Sequence, residues 1–225
     1  PAGARLADPR REMPLQTYMA ASGVTAEQLC DNVADQLRRD GRCIVVVSEG
    51  FDLGDVGEVR DSFGQVMFGA SKTTVGQRVV NMLNEKKVPP RGAARGQVLG
   101  TDQRHSIVRA SIVDLDEAYK VGQKAALIAQ EGLNGYMATI LRRPGVIYSV
   151  DYDKVPLEKV ANSERSFPQA WLTANKIDVT DDFIRYAQPL VGEDWPSVPL
   201  VMGRQRFARF QPIFADKKLP EYTLQ

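Results

Sequence analysis

The chain has 225 residues, of which 43% are hydrophobic and 25% are charged, and its 29 basic and 28 acidic side chains leave a formal net charge of +1. This composition excludes a disordered, collagen-like or heptad-repeat chain, and the near-neutral charge argues against a dedicated nucleic-acid binder. At ~150 residues per domain, the length predicts one large domain or two small ones.

Two cysteines and one histidine leave little material for a disulfide framework or a zinc site. Cys30 falls in a helical pattern and Cys43 begins an apolar strand, so both are expected to be core thiols, which favours a reducing, cytoplasmic location. His105 has no Ser or Cys partner at a recognisable spacing and is expected to be structural or solvent-facing. Apolar runs such as 43–47 are far shorter than the roughly 20 residues that span a bilayer, so no membrane segment is expected.

The first predicted elements are a helix and a buried strand. Residues 1–20, rich in Arg, Pro and Ala, are expected to form an irregular lead-in. Thr25 and Gln28 have the spacing of a helix capping box, and Gly41 is placed to end that helix. The apolar run 43–47 then predicts a strand that is buried on both faces, as in a parallel sheet covered by helices on both sides.

Two further helices are predicted from their caps and apolar spacing. Thr73 or Thr74 caps the second helix, whose inner stripe is Val75, Val79, Met82 and Leu83. The third helix begins near Ser111, and its inner face is expected to be the unusually small set Leu115, Ala118, Gly122, Ala125 and Ala129. Strands are predicted over 136–141 and 146–150. This order predicts a layered α/β fold with a mostly parallel sheet and helices on both faces.

Polar residues at strand ends suggest a ligand site. Glu49 follows the strand 43–47 and precedes Gly50, at the edge where open α/β sheets bind ligands, although an acid there could equally cap the next helix. Arg95 and Arg104 flank a short strand bounded by glycines. Guanidinium groups bind phosphate through paired N–H donors, and a carboxylate accepts hydrogen bonds from sugar hydroxyls, so these residues together suit a phosphosugar.

The segment 204–210 alternates basic and aromatic residues. Such aromatic side chains could stack on the bases of single-stranded nucleic acid, but a half-buried strand with arginines on its solvent-exposed face explains the pattern equally simply. We favour the strand, and therefore expect no nucleic-acid partner.

Three stretches resemble one known family. They are the strand and acid of 43–50, the segment RGQVLGTDQR of 95–104 with the helix sequence of 111–122, and the segment VANSER of 160–165 with Pro168 and Trp171. In this order they resemble the 6-phosphofructokinase family, and more closely its pyrophosphate-dependent branch. The second stretch is similar to that family's R-x-x-x-L-G-x-x-Q-R and S-x-x-D-x-x-E-A-x-x-V-G patterns.

The resemblance implies an activity and a set of substrate-binding residues. It implies a glycolytic transferase that phosphorylates the 1-hydroxyl of fructose 6-phosphate. The phosphoryl donor would be pyrophosphate, or less commonly ATP, and the reaction would require Mg²⁺. The enzyme would be a homo-oligomer. The resemblance also implies that Glu49 holds the sugar hydroxyls, that Arg104 binds the 6-phosphate, and that Arg95 reaches across a subunit boundary. Thr101 stands where relatives carry His or Tyr against the same sugar.

The family's Gly-rich donor loop and its T-x-D-x-D stretch do not occur in this sequence. The resemblance therefore implies no catalytic group and no metal ligand here, and we expect the chain to be the C-terminal, sugar-binding half of an incomplete phosphofructokinase-like fold. A chain that begins at Pro1 rather than Met suits that interpretation. The alternative is a catalytically silent phosphosugar-binding or regulatory module.

The expected domain organisation follows from this interpretation. Residues 21–110 are expected to form the sugar-phosphate-binding α/β domain, and 111–145 a helix and strand that pack on the absent donor domain. Residues 146–225 would return to the α/β domain and add a C-terminal extension.

Overall fold

The structure is a computed structural model that describes residues 2–53, 73–89, 91–99, 105–163, 165–214, 216 and 218. Its helices and strands, in chain order and apart from short 3-10 turns, are β1 (Leu15–Tyr18), α1 (Ala26–Asp40), β2 (Ile44–Val47), α2 (Val75–Glu85), α3 (Ile112–Gln130), β3 (Tyr136–Arg142), β4 (Val150–Pro156), α4 (Asp181–Val191), β5 (Leu200–Val201) and β6 (Arg204–Gln205).

The unit that positions the candidate site is β1–α1–β2. β1 and β2 pair in parallel, with Leu15 opposite Ile44 and Tyr18 opposite Val47. Between them, α1 has the predicted capping box at Thr25 and ends at Gly41, whose φ of 69° is a left-handed conformation that glycine adopts without strain. The predicted first helix and the strand after it are thus confirmed.

The expectation that residues 1–20 are irregular is wrong. Ala2–Ala7 form a 3-10 helix, and β1 lies inside the supposed lead-in. Polar residues hide this strand in the sequence, because Gln16 and Tyr18 are both buried. The Tyr18 hydroxyl donates to Gln16 Oε1 at 2.8 Å, and Gln16 Nε2 donates to the Asn32 carbonyl at 2.9 Å, so neither polar group is left unpaired in the core.

Two hydrophobic clusters form the core of the described residues. The larger one joins β1, α1 and α2 with Phe51, and its members are Tyr18, Leu29, Cys30, Val33, Phe51, Val75, Val79 and Leu83. The smaller one centres on Val179 and Phe183, with Phe167 and Trp171 packed against them. Cys30 is buried and Cys43 half-buried, and both are free thiols, as expected. β2 itself is not buried on both faces, since Ile44 is 39% exposed.

The remaining strands form two antiparallel hairpins, β3 with β4 and β5 with β6. In the described part of the chain, parallel pairing is therefore that of β1 with β2. The strand expected over 204–210 is limited to Arg204–Gln205, and Phe207 and Phe210 beyond it are 72% and 89% exposed, so no buried aromatic face forms there.

α3 packs on a different face from the one expected. Its buried residues are Glu117 and Ile128, and it lies against β3 and β4. The small face that was expected to point inward is exposed; it comprises Leu115, Ala118, Gly122, Ala125 and Ala129. A buried acid is tolerated at Glu117 because the Tyr148 hydroxyl donates to its Oε1 at 2.6 Å.

Among the helices that the structure describes, none is both long enough and apolar enough to cross a membrane.

A buried ion pair is predicted to carry much of the stability. Arg5 is 2% exposed and forms a two-bond fork with Asp178, Nε to Oδ1 at 3.1 Å and Nη2 to Oδ2 at 2.9 Å. Arg5→Ala removes a buried guanidinium and leaves Asp178 paired only with the partly exposed Arg11, so it is expected to lower the free energy of unfolding by about 1–3 kcal/mol, the usual cost of unmatched buried hydrogen-bonding groups. Urea unfolding measures this change. Arg10→Ala is the matched control, because the Arg10 side chain is 85% exposed and its ion pair with Glu12 is long, at 3.9 Å. Equal losses of stability in the two variants would contradict the prediction.

The contact between Tyr148 and Glu117 is predicted to make stability depend on pH in the alkaline range. Burial, and then the hydrogen bond to Glu117, raise the pKa of Tyr148 from 10.0 to about 12. Between these pH values the unfolded chain loses the phenol proton and the folded chain keeps it, so the free energy of unfolding falls as pH rises. Urea titrations at pH 9 to 11.5 on the parent and on Tyr148→Phe test this, with a shallower fall expected in the variant. Identical slopes would count against it.

Candidate functional site

Glu49 lies in a tight turn that directly follows β2. The Ser48 N–H donates to the Tyr18 carbonyl at 2.9 Å, one residue beyond the end of β2. The Phe51 N–H then donates to the Ser48 carbonyl at 3.0 Å and closes the turn. Phe51 is 3% exposed and packs edge-on against the Tyr18 ring, with centroids 5.5 Å apart. The turn is thus anchored on both sides, while the Glu49 side chain is exposed.

An open cleft of about 430 Å³ lies at the carboxyl ends of β1 and β2. Its lining comes from three separate parts of the chain: 19–21 after β1, Ser48 after β2, and 165–167. In open α/β sheets, ligands bind in the crevice outside the carboxyl ends of the strands. Glu49 follows Ser48 in the turn that ends at this cleft, and its own side chain is not among the lining residues.

The segment 165–167 is held at the cleft by its own anchors. The Phe167 ring contacts the rings of Trp171 and Phe183, each at a centroid distance of 5.5 Å. Gln169 Nε2 donates to the Ala21 carbonyl at 2.6 Å. Arg165 is exposed and lines the cleft, which gives it a positively charged group. Sequence reasoning missed this residue, because spacing alone gives no sign that 165 meets the end of β2.

Arg95 lies on another segment, which runs along α2. The side chain of Asn84 forms two hydrogen bonds with the backbone of Ala94, and Arg95 follows with its side chain exposed. The contacts among the described residues do not bring Arg95 to the cleft beside Glu49. Thr101 and Arg104 lie outside the described residues, so their predicted roles stay predictions. His105 is exposed, in agreement with a solvent-facing histidine.

The described ranges do not fit a resident magnesium ion. No three His, Cys, Asp or Glu side chains within them lie close enough together to hold a metal. What the cleft can do is bind: a guanidinium supplies paired donors for an anionic group, and a neighbouring carboxylate accepts hydrogen bonds from hydroxyls.

Two curated proteins are similar to most of this chain. The pyrophosphate–fructose 6-phosphate 1-phosphotransferase of Rhodospirillum rubrum is 34% identical over 193 residues, which are 81% of this chain and 46% of that protein. The protein of the same name from Halomonas elongata is 31% identical over 199 residues, 85% of this chain and 45% of that protein. The chain thus spans about half the length of these relatives. No protein-family model matches it.

A solved structure extends this likeness to the fold. The pyrophosphate-dependent phosphofructokinase from Nitrosospira multiformis superposes with a TM-score of 0.75 at 29% identity, over 99% of this chain and 52% of that one. The predicted α/β fold of the phosphofructokinase type is thereby confirmed. On its sequence relatives and its fold together, the chain belongs to the 6-phosphofructokinase family.

Proposed function

We propose that the chain is the sugar-binding half of a pyrophosphate-dependent phosphofructokinase, which transfers a phosphoryl group from pyrophosphate to the 1-hydroxyl of fructose 6-phosphate. Relatives more than 30% identical are named for this reaction. The structural observation that carries the proposal is the cleft at the carboxyl ends of β1 and β2, with the Arg165 guanidinium on its wall and Glu49 beside it. A sugar phosphate needs both an anion-binding group and a hydroxyl acceptor.

In this proposal each site residue has a separate task. Glu49 accepts hydrogen bonds from the sugar hydroxyls, and Arg165 adds donors for an anionic group in the cleft. Arg104 binds the 6-phosphate, Thr101 lies against the sugar, and Arg95 contributes its guanidinium from the segment along α2; these three roles come from the family resemblance.

The donor and the metal are assigned to the rest of the longer protein. The relatives are about twice as long as this chain, which supports placing pyrophosphate and Mg²⁺ in the rest of the longer protein. Residues 21–110 would then form the sugar-phosphate domain, 111–145 would pack against the donor half, and 146–225 would complete the α/β domain. The exposed small face of α3 supports the second assignment. Two free thiols favour a cytoplasmic location, and a homo-oligomer is expected from the family.

A catalytically silent phosphosugar-binding module remains the second candidate, because the same cleft would serve it. Turnover by the longer protein that contains this chain separates the two: a silent module binds fructose 6-phosphate without converting it.

Replacing Glu49 by Gln tests the binding role. The change removes the negative charge that accepts sugar hydroxyls, so affinity for fructose 6-phosphate is expected to fall about tenfold, within the usual worth of a hydrogen bond to a charged group. Titration calorimetry on the 225-residue chain measures the loss, and thermal melts report on the fold. Glu85→Gln is the control, since Glu85 is also exposed but ends α2.

The opposite pattern would identify Glu49 as a structural cap. In that case Glu49→Gln would lower the melting temperature and leave the sugar affinity unchanged, and the ligand role would be rejected.

The 225-residue chain alone is predicted to have no phosphoryl-transfer activity. Much of the rate of such a reaction comes from holding donor phosphates, metal and acceptor hydroxyl in line, and here only acceptor groups have been identified. The assay contains fructose 6-phosphate, Mg²⁺ and either pyrophosphate or ATP, with material whose intact mass excludes longer chains. Turnover in the usual kinase range, ~1–100 per second, would overturn the assignment of this chain to the acceptor half.

A further inference from the structure

The segment that carries Arg95 is fixed by a side chain rather than by a sheet. Residues 93–99 form neither helix nor strand. Asn84, exposed near the end of α2, supplies both halves of its amide to one residue of this segment: its Nδ2 donates to the Ala94 carbonyl at 3.1 Å, and its Oδ1 accepts from the Ala94 N–H at 2.7 Å. The amide thus replaces the backbone partner that a neighbouring strand would provide.

A second contact holds the same segment one residue beyond Arg95. Gly96 lies so close to α2 that a Cβ added there would stand 2.6 Å from Val80 Cγ2, a distance that real Cβ atoms essentially never show. Val80 and Asn84 are four residues apart and therefore lie on the same face of the helix. The backbone is held to that face on both sides of Arg95, while the Arg95 side chain is exposed.

We propose that Asn84 is a positioning residue for Arg95: it fixes the backbone from which the Arg95 guanidinium reaches the phosphate of a sugar phosphate bound by a neighbouring copy of the chain, across the subunit boundary that the family resemblance implies. This inference rests on the proposed function. A long cationic side chain on a loose segment loses much conformational freedom when it binds an anion, and fixing its backbone beforehand reduces that loss. The bidentate geometry of a guanidinium on a phosphate also requires a defined direction of approach.

The chain offers a matched control on the same helix. Asn81 is also an exposed asparagine of α2, and its Oδ1 accepts from Gln77 Nε2 at 2.9 Å, within the helix itself. Asn81→Ala therefore removes one side-chain amide and one hydrogen bond without touching the backbone of Ala94. Any effect that Asn84→Ala shows beyond this control belongs to the contact with Ala94.

The test compares binding of fructose 6-phosphate and of fructose to the 225-residue chain at one protein concentration. Asn84→Ala is expected to weaken fructose 6-phosphate binding about tenfold, because the freed segment and the Arg95 side chain must then be ordered on binding, and to leave fructose binding unchanged. Asn81→Ala should leave both unchanged. In the double variant Asn84→Ala/Arg95→Ala, the affinity for fructose 6-phosphate should be less than about twofold below that of Arg95→Ala alone. Once the Arg95 guanidinium is gone, Asn84 has no side chain left to position.

A second pair of variants reaches the same segment by crowding. Gly96→Ala should displace the backbone from α2 and reproduce the selective loss of fructose 6-phosphate binding. Val80→Ala removes the Cγ2 atom that the new Cβ would meet, so the double variant Gly96→Ala/Val80→Ala should recover most of the affinity. If Asn84 and Gly96 were purely structural, their variants would instead lower the melting temperature and weaken the binding of both sugars.

The outcomes separate this inference from the proposed function. If Arg95→Ala weakens fructose 6-phosphate binding but Asn84→Ala behaves like Asn81→Ala, the positioning role is wrong and the proposed function stands. Additive losses in the double variant, or equal losses for the two sugars, also overturn the positioning role. If the parent chain binds neither sugar, the proposed function fails and the positioning role fails with it.

Discussion

One buried group of charges joins distant parts of the chain beside the cleft. The Arg5 guanidinium binds the carboxylates of Asp178 and Asp8, and Arg11 binds Asp178 as well. The pair lies beside β1: Arg5 Nη2 also donates to the Leu15 carbonyl, and the N–H of Thr17 donates to the carbonyl of residue 177. β1 is thus held between β2 on one side and residues 177–178 on the other. Charges buried this deeply keep that arrangement only while they remain paired.

The cleft is a consequence of this arrangement. Its walls come from the ends of two parallel strands and from a third segment that the aromatic cluster around Phe167 and Trp171 keeps in place. Each wall is anchored by buried groups, whereas Arg165 and Glu49, the side chains that could meet a ligand, are exposed. Rigid surroundings and accessible charged groups are what binding of a small anionic sugar requires.

Local signals in the sequence were sufficient for α1, α2 and α3, and much of the rest needed contacts between distant residues. Caps were predicted at Thr25, at Thr73 or Thr74, and near Ser111, because a cap depends on a few neighbouring residues, and the structure has them at Thr25, Thr74 and Ser111. β1 was missed because Gln16 is polar and becomes acceptable in the core only through a bond to Asn32. The packed face of α3 was misjudged because burial of Glu117 depends on Tyr148, a donor from outside the helix. The position of Arg165 at the cleft could not be found from spacing; the position of Glu49 directly after its strand could, and its ligand role stays a prediction.

The pairing of Arg5 with Asp178 also sets an order of events during synthesis. The two residues are 173 positions apart, so β1 emerges from the ribosome long before the carboxylate that will hold it. At ~5–20 residues per second, the wait is roughly 9–35 seconds. Over that interval β1 can already pair with β2, and Gln16 with Asn32 of α1, because these partners follow it closely in the chain, but Thr17 still lacks the carbonyl of residue 177. β1 is therefore paired on one side early and fixed on the other only when residues 177 and 178 emerge, and the cleft at its end also waits for residues 165–167.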